Sequence, residues 1–373
     1  MITFIFILFM AYYVLMMVLL EGWRKAVRQP ANKKSSVKHP IISVLIAARN
    51  EEVNIRNILI DLSGQFYPPD CFEVLIINDH SSDNTIDRIY RWLGSNSFTN
   101  FRLFSLKDSL SGKKAAITEG VSQAKGEIIV TTDADCRVPP GWLCSIATGF
   151  EDTTQLISGP VIFKPTDSIF NTLQVMEFAS LVGMGASTLA LNIPTICNGA
   201  NLAYRKEVFC SVGGFEGNEH IPSGDDEFLL KKVAKKYPEG VKFNANDEAI
   251  VMAKANSSFQ EFVNQRLRWA GKWRGHGIGV SSILAIFIFL LYGAVLMLFP
   301  LAILNLVTFG DFALLLGAKL LVDMLFITRV QKFLGIPFSI TSFILLQFVY
   351  PLYVIFFGLT ANFLRPDWKG RKI

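Results

Sequence analysis

The chain has 373 residues, 51% of them hydrophobic, with 31 Phe and a positive mean hydropathy, so part of it belongs in lipid rather than water. A net charge of +5 is modest; with no aromatic-basic module in view it argues against a nucleic-acid partner and for basic residues meeting anionic lipid headgroups. The five cysteines are odd in number and show no C-x-x-C spacing, which argues against a disulfide framework or a zinc knuckle and for reduced core thiols.

Residues 1–20, MITFIFILFMAYYVLMMVLL, carry no charge and match the ~20 residues needed to cross a hydrocarbon core. Arg24, Lys25, Arg28, Lys33, Lys34 and Lys38 follow, against one acid, Glu21. A cleaved signal peptide has its positive charges before a shorter apolar core and small residues after it. The segment 1–20 therefore reads as an uncleaved anchor and 21–40 as a basic juxtamembrane linker. The positive-inside rule then places the chain up to residue 280 in the cytosol, at a plasma or inner membrane.

From 41 to 136, apolar strand-like runs alternate with polar helical stretches, the pattern of a parallel sheet with crossover helices. The first run, IISVLIAARNEE, ends near Glu51, and a helix over 54–65 presents Ile55, Ile58, Leu59 and Leu62 on one face. The second, FEVLIINDH, ends at Asp79; Ser82 or Asp83 is placed to cap the next helix. FRLFSL is a third strand, and SGKKAAITEGVSQA is a helix with Lys113 and Lys114 at its start.

The fourth strand, IIVTTDAD, ends on Asp133 and Asp135. Side chains two apart point the same way, and like charges there repel unless a cation lies between them; the plain alternative is a turn before Val138-Pro139-Pro140-Gly141. Ligands of parallel sheets bind outside the carboxyl ends of the strands, so Glu51, Asp79, Asp133 and Asp135 gather on one rim. Such a rim with nearby lysines suits a diphosphate, a sugar and a hard divalent ion, Mg2+ or Mn2+. No GxxxxGK[ST] and no GxGxxG is present, which disfavours a P-loop kinase or a dinucleotide dehydrogenase.

Further on, Asn198-Gly199 reads as a turn or as a close backbone approach to a ligand. Asp225-Asp226 precede EFLLKKVAKK, where acids also favour a helix N-terminus. Gln265, Arg268 and Trp269 share a helical face, in a segment that equally suits a basic-aromatic interfacial helix with Lys272, Trp273 and Arg274. Three apolar segments follow within 281–363 and a basic tail covers 364–373; the loop with Arg329 and Lys332 fits the cytosolic side, and Pro351 interrupts the third segment, leaving its topology open.

Asp79, Asp133-x-Asp135, Gly224-Asp225-Asp226 and Gln265-Arg266-Leu267-Arg268-Trp269 follow in the order D, DxD, (E/D)D, QxxRW. The combination resembles the membrane-embedded inverting family 2 glycosyltransferases, a group that includes cellulose, chitin and hyaluronan synthases, poly-N-acetylglucosamine synthases and ceramide glucosyltransferases. The resemblance covers 41–275 and implies an α/β fold: a nucleotide-sugar-binding (GT-A type) domain with a mainly parallel sheet, with transmembrane helices at both ends. It implies transfer of a hexose or N-acetylhexosamine from a nucleotide-sugar donor, a UDP-sugar by family habit, to a lipid or polysaccharide acceptor. By the same resemblance Glu51 and Asp79 hold the nucleoside, Lys113 faces the nucleotide, Asp133 faces the donor and Asp135 ligates the metal. Asp226 is the base and Arg268 stabilises the leaving diphosphate, while Asn198, Gly199, Asp225, Gln265 and Trp269 meet the acceptor. Where many members have Tyr before the first Asn-Glu, this chain has Arg49. The competing readings are a processive synthase that translocates its product, a non-catalytic nucleotide-sugar-binding membrane protein, and a hydrolase built on paired carboxylates.

Overall fold

A computed structural model describes residues 2–28, 39–219, 221, 223–271, 279–360, 363–364, 367–368 and 371–372. Most of the linker 21–40, Lys272, Trp273, Arg274 and much of the basic tail lie outside these residues. In chain order the elements are α1 (Ile2–Val27), β1 (Ile42–Ala48), α2 (Ile55–Ser63), β2 (Phe72–Asn78), α3 (Thr85–Gly94), β3 (Phe101–Ser105), α4 (Lys113–Gln123) and β4 (Ile128–Asp133). They continue with α5 (Trp142–Gly149), β5 (Leu156–Ser158), β6 (Val161–Phe163), α6 (Ile169–Ala190), β7 (Leu202–Arg205), α7 (Lys206–Ser211), α8 (Asp225–Lys236), β8 (Val241–Phe243) and β9 (Val251–Ala253). Four helices follow: α9 (Phe259–Ala270), α10 (Val280–Ile303), α11 (Phe309–Phe333) and α12 (Ile340–Thr360). Contacts divide the chain into a sheet unit, Ala26–Lys164 with Leu189–Lys254, and a helical unit, Met1–Lys25 with Pro165–Thr188 and Ala255–Ile373.

The sheet unit carries seven strands in the order β3-β2-β1-β4-β7-β5-β8. All neighbours are parallel except β7, which runs against both β4 and β5. Every residue of β2 and nearly every residue of β1 and β4 is buried, which is why these strands read as continuous apolar runs: helices cover both faces. On α2, Ile55, Ile58, Leu59 and Leu62 are the buried positions, as the spacing predicted. At α3 the first-turn amide is held by Asp83, whose Oδ1 accepts from Thr85 N at 3.0 Å, although the cap position itself is Asn84. The short strands β5, β6, β8 and β9, three residues each, and the reversed β7 are not visible as patterns in the sequence.

Four helices are long and apolar enough to cross a membrane: α1, α6, α10 and α12. They differ in what they face. About a third of the apolar window of α1, α10 and α12 is buried (33%, 28% and 28%), against 67% for α6. Phe4, Ile7, Val14, Ile283, Ile286, Phe348 and Leu352 are exposed on the first group, as lipid-facing side chains are. The sequence pattern gave no warning of α6. The three expected C-terminal segments are all helices, but α11 is not among the four apolar ones because Lys319 and Asp323 lie in it. Both are buried and paired at 2.7 Å, with Gln347 Oε1 accepting from Lys319 at 2.8 Å and Tyr12 donating to Asp323. α12 passes through Pro351 without a break.

Candidate active site

Register explains why the acids meet. Ala48 pairs with Asn78 and Ala47 with Asp133, so β1, β2 and β4 end level, and the residues just beyond each strand share the sheet's carboxyl edge. Arg49 Nη1 closes the first corner by donating to the carbonyls of Asp79 and His80 at 2.8 and 2.9 Å. In this position it ties two strand ends together, where the resemblance has an aromatic ring. Glu51 is buried in the same corner: its N–H donates to Thr85 Oγ1 at 2.7 Å and its Oε2 accepts from Asn54 at 2.9 Å. Asp79, also buried, accepts from Gly112 N at 3.1 Å, which fixes the start of α4 against the end of β2.

Lys113, the first residue of α4, is placed among three carboxylates. Its Nζ lies 2.6 Å from Asp133 Oδ1 and 3.7 Å from Asp225 Oδ2. Burial alone would lower the lysine pKa, but Asp133, Asp225 and Asp226 outweigh it and hold the ammonium well above its usual range. Lys114, one residue on, turns away from this group; only the resemblance had singled out Lys113, and the local pattern did not tell the two apart. Its Nζ donates to the carbonyls of Asn218 and Ile221 at 2.6 and 2.9 Å and lies 4.8 Å from the Phe228 ring centre. Burial pulls its pKa down, and Asp225, Asp226 and Glu219 offset this only in part. The ~100° step between neighbours on a helix is what sends the two lysines to different partners.

The Asn198-Gly199 segment is both a turn and a close approach. Asn198 Oδ1 accepts from Ala200 N at 2.9 Å, shaping one 3-10 turn over Gly199–Asn201. Thr131 Oγ1, on β4, donates to Gly199 O at 2.7 Å. Gly199 N donates to Asp226 Oδ2 at 3.0 Å. A Cβ at 199 would stand 3.1 Å from Asp225 Oδ2 and 3.3 Å from Lys113 Nζ, tighter than side chains normally approach. Asn201, which sequence reasoning passed over, fastens the segment from behind: it donates to Pro160 O and Ala249 O at 2.8 and 2.7 Å and accepts from Trp142 Nε1 at 3.0 Å.

Asp225 and Asp226 open α8 after Gly224, whose φ of 79° is left-handed and favours glycine. Their negative charge suits the helix N-terminus, but neither is the cap residue. Asp225 turns to Lys113; Asp226 holds Gly199 N and, through Oδ1, Glu227 N at 2.7 Å. Asp79, Gly112, Lys113, Asp133, Gly199, Asp225 and Asp226 therefore form one connected network, although they are spread over almost 150 positions of the chain.

Asp133, Asp135 and Cys136 bring one ligand atom each within 4.8 Å of one another. The two carboxylates fit a hard divalent ion. Burial, followed by the charges of Asp135 and Asp133, pushes the Cys136 thiol well above its usual range, and its soft sulfur is a poor donor to a hard ion.

Gln265, Arg268 and Trp269 lie on α9, in the helical unit. Gln265 Oε1 accepts from Asn256 at 2.8 Å and from Arg266. Trp269 stacks on Phe178, with ring centres 6.0 Å apart.

An α/β domain with a mainly parallel sheet and acids collected at its carboxyl edge, joined to long apolar helices, defines a glycosyltransferase of the GT-A type. The chain belongs to glycosyl transferase family 21, whose model matches residues 3–372. The family is thus 21, while the broader expectation of a GT-A-type glycosyltransferase stands. Among curated relatives, the probable glycosyltransferase YdaM of Bacillus subtilis (strain 168) is 25% identical over 276 residues, covering 69% of this chain and 60% of that protein. The poly-β-1,6-N-acetyl-D-glucosamine synthase of Staphylococcus aureus (strain COL) is 26% identical over 256 residues, 66% of this chain and 58% of that protein. The chain thus spans less than two thirds of the length of either. Among solved structures, the mannosyltransferase PcManGT from Pyrobaculum calidifontis, determined in complex with GDP-Man and Mn2+, has a TM-score of 0.56 at 17% identity. It covers 96% of this chain and 99% of its own, and shows the fold.

Proposed function

We propose that the protein transfers a hexose or N-acetylhexosamine, with inversion, from a nucleoside-diphosphate donor to a lipid hydroxyl at the cytosolic membrane face, and that a UDP-sugar is the donor. One observation carries this reading: Lys113 joins Asp133 to Asp225, while Asp226 holds the Gly199 amide beside them. Donor-side and acceptor-side residues of the resemblance are thereby in contact. Glu51 and Asp79 line the nucleoside corner, and Lys113 offers its charge to the diphosphate. Asp133 faces the donor sugar. Asp135, with Asp133, would hold Mg2+ or Mn2+, which when bound neutralises diphosphate charge; the Mn2+ in the PcManGT complex is in keeping with this.

The acceptor hydroxyl attacks the anomeric carbon on the face opposite the diphosphate. A new C–O bond forms as the bond to the diphosphate oxygen breaks, and the hydroxyl proton passes to Asp226 as general base. Two backbone N–H groups aim that carboxylate. Arg268 stabilises the departing charge, and Asn198, Gly199, Asp225, Gln265 and Trp269 meet the acceptor. A lipid acceptor is favoured because α9 belongs to the same compact unit as α1, α10 and α12. Arg24 and Lys25 at the last turn of α1 support the cytosolic side. The domain limits proposed for the catalytic part are 41–275.

The test is Asp226→Asn in full-length protein supplied with a panel of nucleotide sugars. Released nucleotide should fall by about 10²–10⁴-fold with donor affinity nearly unchanged; unaltered turnover refutes the base. Radiolabelled sugar should enter an organic extract as one discrete species, whereas label at the origin of a thin-layer plate would mean a polymer.

A further inference from the structure

We propose that Arg266, which the resemblance leaves without a role, is the positioning residue of the Gln265–Trp269 segment, and that it works through a buried ion pair with Glu177 of α6. The inference deepens the reading of that segment as acceptor-facing and rests on it.

The register of α9 is set without Arg266. Ser258 and Glu261 form a reciprocal cap, Ser258 Oγ accepting from Glu261 N at 3.2 Å. What the cap leaves undetermined is the direction of the side chains one to three turns later. Arg266 is 2% exposed and its partner Glu177 6%. One nitrogen, Nη2, donates to Glu177 Oε2 and the other, Nη1, to Gln265 Oε1. Tyr353 on α12 donates to the second oxygen of Glu177 at 3.1 Å. The guanidinium carbon lies 4.6 Å from the Phe262 ring centre and 4.4 Å from that of Trp269, a cation between two aromatic faces. Consecutive residues of α6 do the holding, since Glu177 takes Arg266 and Phe178 stacks on Trp269.

Stability does not call for this arrangement. Apolar residues of similar volume usually do as well as a buried ion pair, or better, and Arg266 Nε has no hydrogen-bond partner among the described residues. A planar fork supplies direction, which an apolar pair cannot. It fixes Gln265 by its oxygen, which Asn256 also engages, so that the NH2 end is the one turned to a ligand oxygen. It also fixes the plane of Trp269 by occupying one face of the ring. Lysine would keep the charge and lose both constraints.

The experiment compares Arg266→Met, Glu177→Leu, the double variant and Arg266→Lys in full-length protein reconstituted in nanodiscs, reading melting temperature, kcat, KM for donor and acceptor, and amide exchange over 262–270. Each single apolar variant strands a buried charge and should melt lower; the double variant should regain most of the loss. Its kcat/KM for the acceptor should nevertheless stay about 10- to 100-fold below the parent, with exchange raised over 265–270 and donor KM little moved. Arg266→Lys should show the same catalytic loss. Recovery of parental kcat/KM along with stability in the double variant would make the pair merely structural and overturn the inference, as would unchanged exchange or a defect confined to donor KM. Trp269→Ala separates the two levels: full activity there, with raised exchange in the double variant, sinks the acceptor role of the segment and leaves the positioning intact.

Discussion

The two units handle charge in opposite ways. In the sheet unit, Asp133, Asp225 and Asp226 gather around Lys113, with Asp79 on the adjoining Gly112 amide and Asp135 beside Asp133, and Asp133 remains 38% exposed. In the helical unit each buried cation has its own acid and a tyrosine: Arg266 with Glu177 and Tyr353, Lys319 with Asp323 and Tyr12. The second pattern is neutral pair by pair and asks for nothing further. The first brings several acids together at an edge partly open to solvent, and such a cluster favours a cation or the charged parts of a ligand. Clustering of like charge, more than the presence of charge, is what sets the sheet edge apart from the paired scaffold here.

Removing the proposed divalent ion is the hardest blow to this contrast. Asp135→Ala should lower transfer by about 10³-fold and abolish the stimulation of donor binding by Mn2+ or Mg2+ in calorimetry; a chelator should do the same to the parent protein. Full activity in chelator would mean that transfer needs no divalent ion at Asp133 and Asp135. The helical unit should answer in the opposite sense. Lys319→Met leaves Asp323 buried without its cation and should cost about 3 kcal/mol, read as a lower melting temperature in detergent. Lys319→Met with Asp323→Leu should recover most of it. A double variant as unstable as the single would show that Lys319 and Asp323 are more than a neutral scaffold pair.

Gly199→Ala probes the border of the acid network with a smaller step. Its methyl group would press on Asp225 Oδ2 and Lys113 Nζ, two groups that set the site's charge, and should reduce kcat about 10-fold without changing the melting temperature measurably. An unchanged kcat would mean that this contact is slack and that the segment does not help to shape the site.

Legibility followed the range of the interactions. The first four strands and α2 were readable because local apolar runs decide them, and the meeting of Glu51, Asp79 and Asp133 on one rim follows from parallel strands ending level. Lys113 was singled out through the resemblance alone; the partners of Lys114 were not readable, since adjacent identical residues give no local signal. Arg266 lay inside a recognised motif yet its partner is 89 positions away, and no period connects them. α6 was missed because Gln174 and Glu177 interrupt an apolar stretch that turns out to be mostly buried. In α11, the i, i+4 spacing of Lys319 and Asp323 was in plain view; what it meant depended on Gln347 and Tyr12, far along the chain.

The smallest effect is expected where charge is paired at the surface. Arg24 and Glu21 meet on α1 at 2.5 Å, with side chains 49% and 43% exposed. Their geometry rivals that of the buried pairs, so distance alone would rank them together. Water already solvates both groups, however, and the pair must hold two long side chains in one geometry to gain little. Arg24→Ala should therefore leave the melting temperature in detergent within error at 0.15 M salt, where exposed charges are also screened beyond about 8 Å. A loss comparable to that of Lys319→Met would mean that Arg24 is held by something other than Glu21, and burial would no longer be the variable that sorts the charges of this protein.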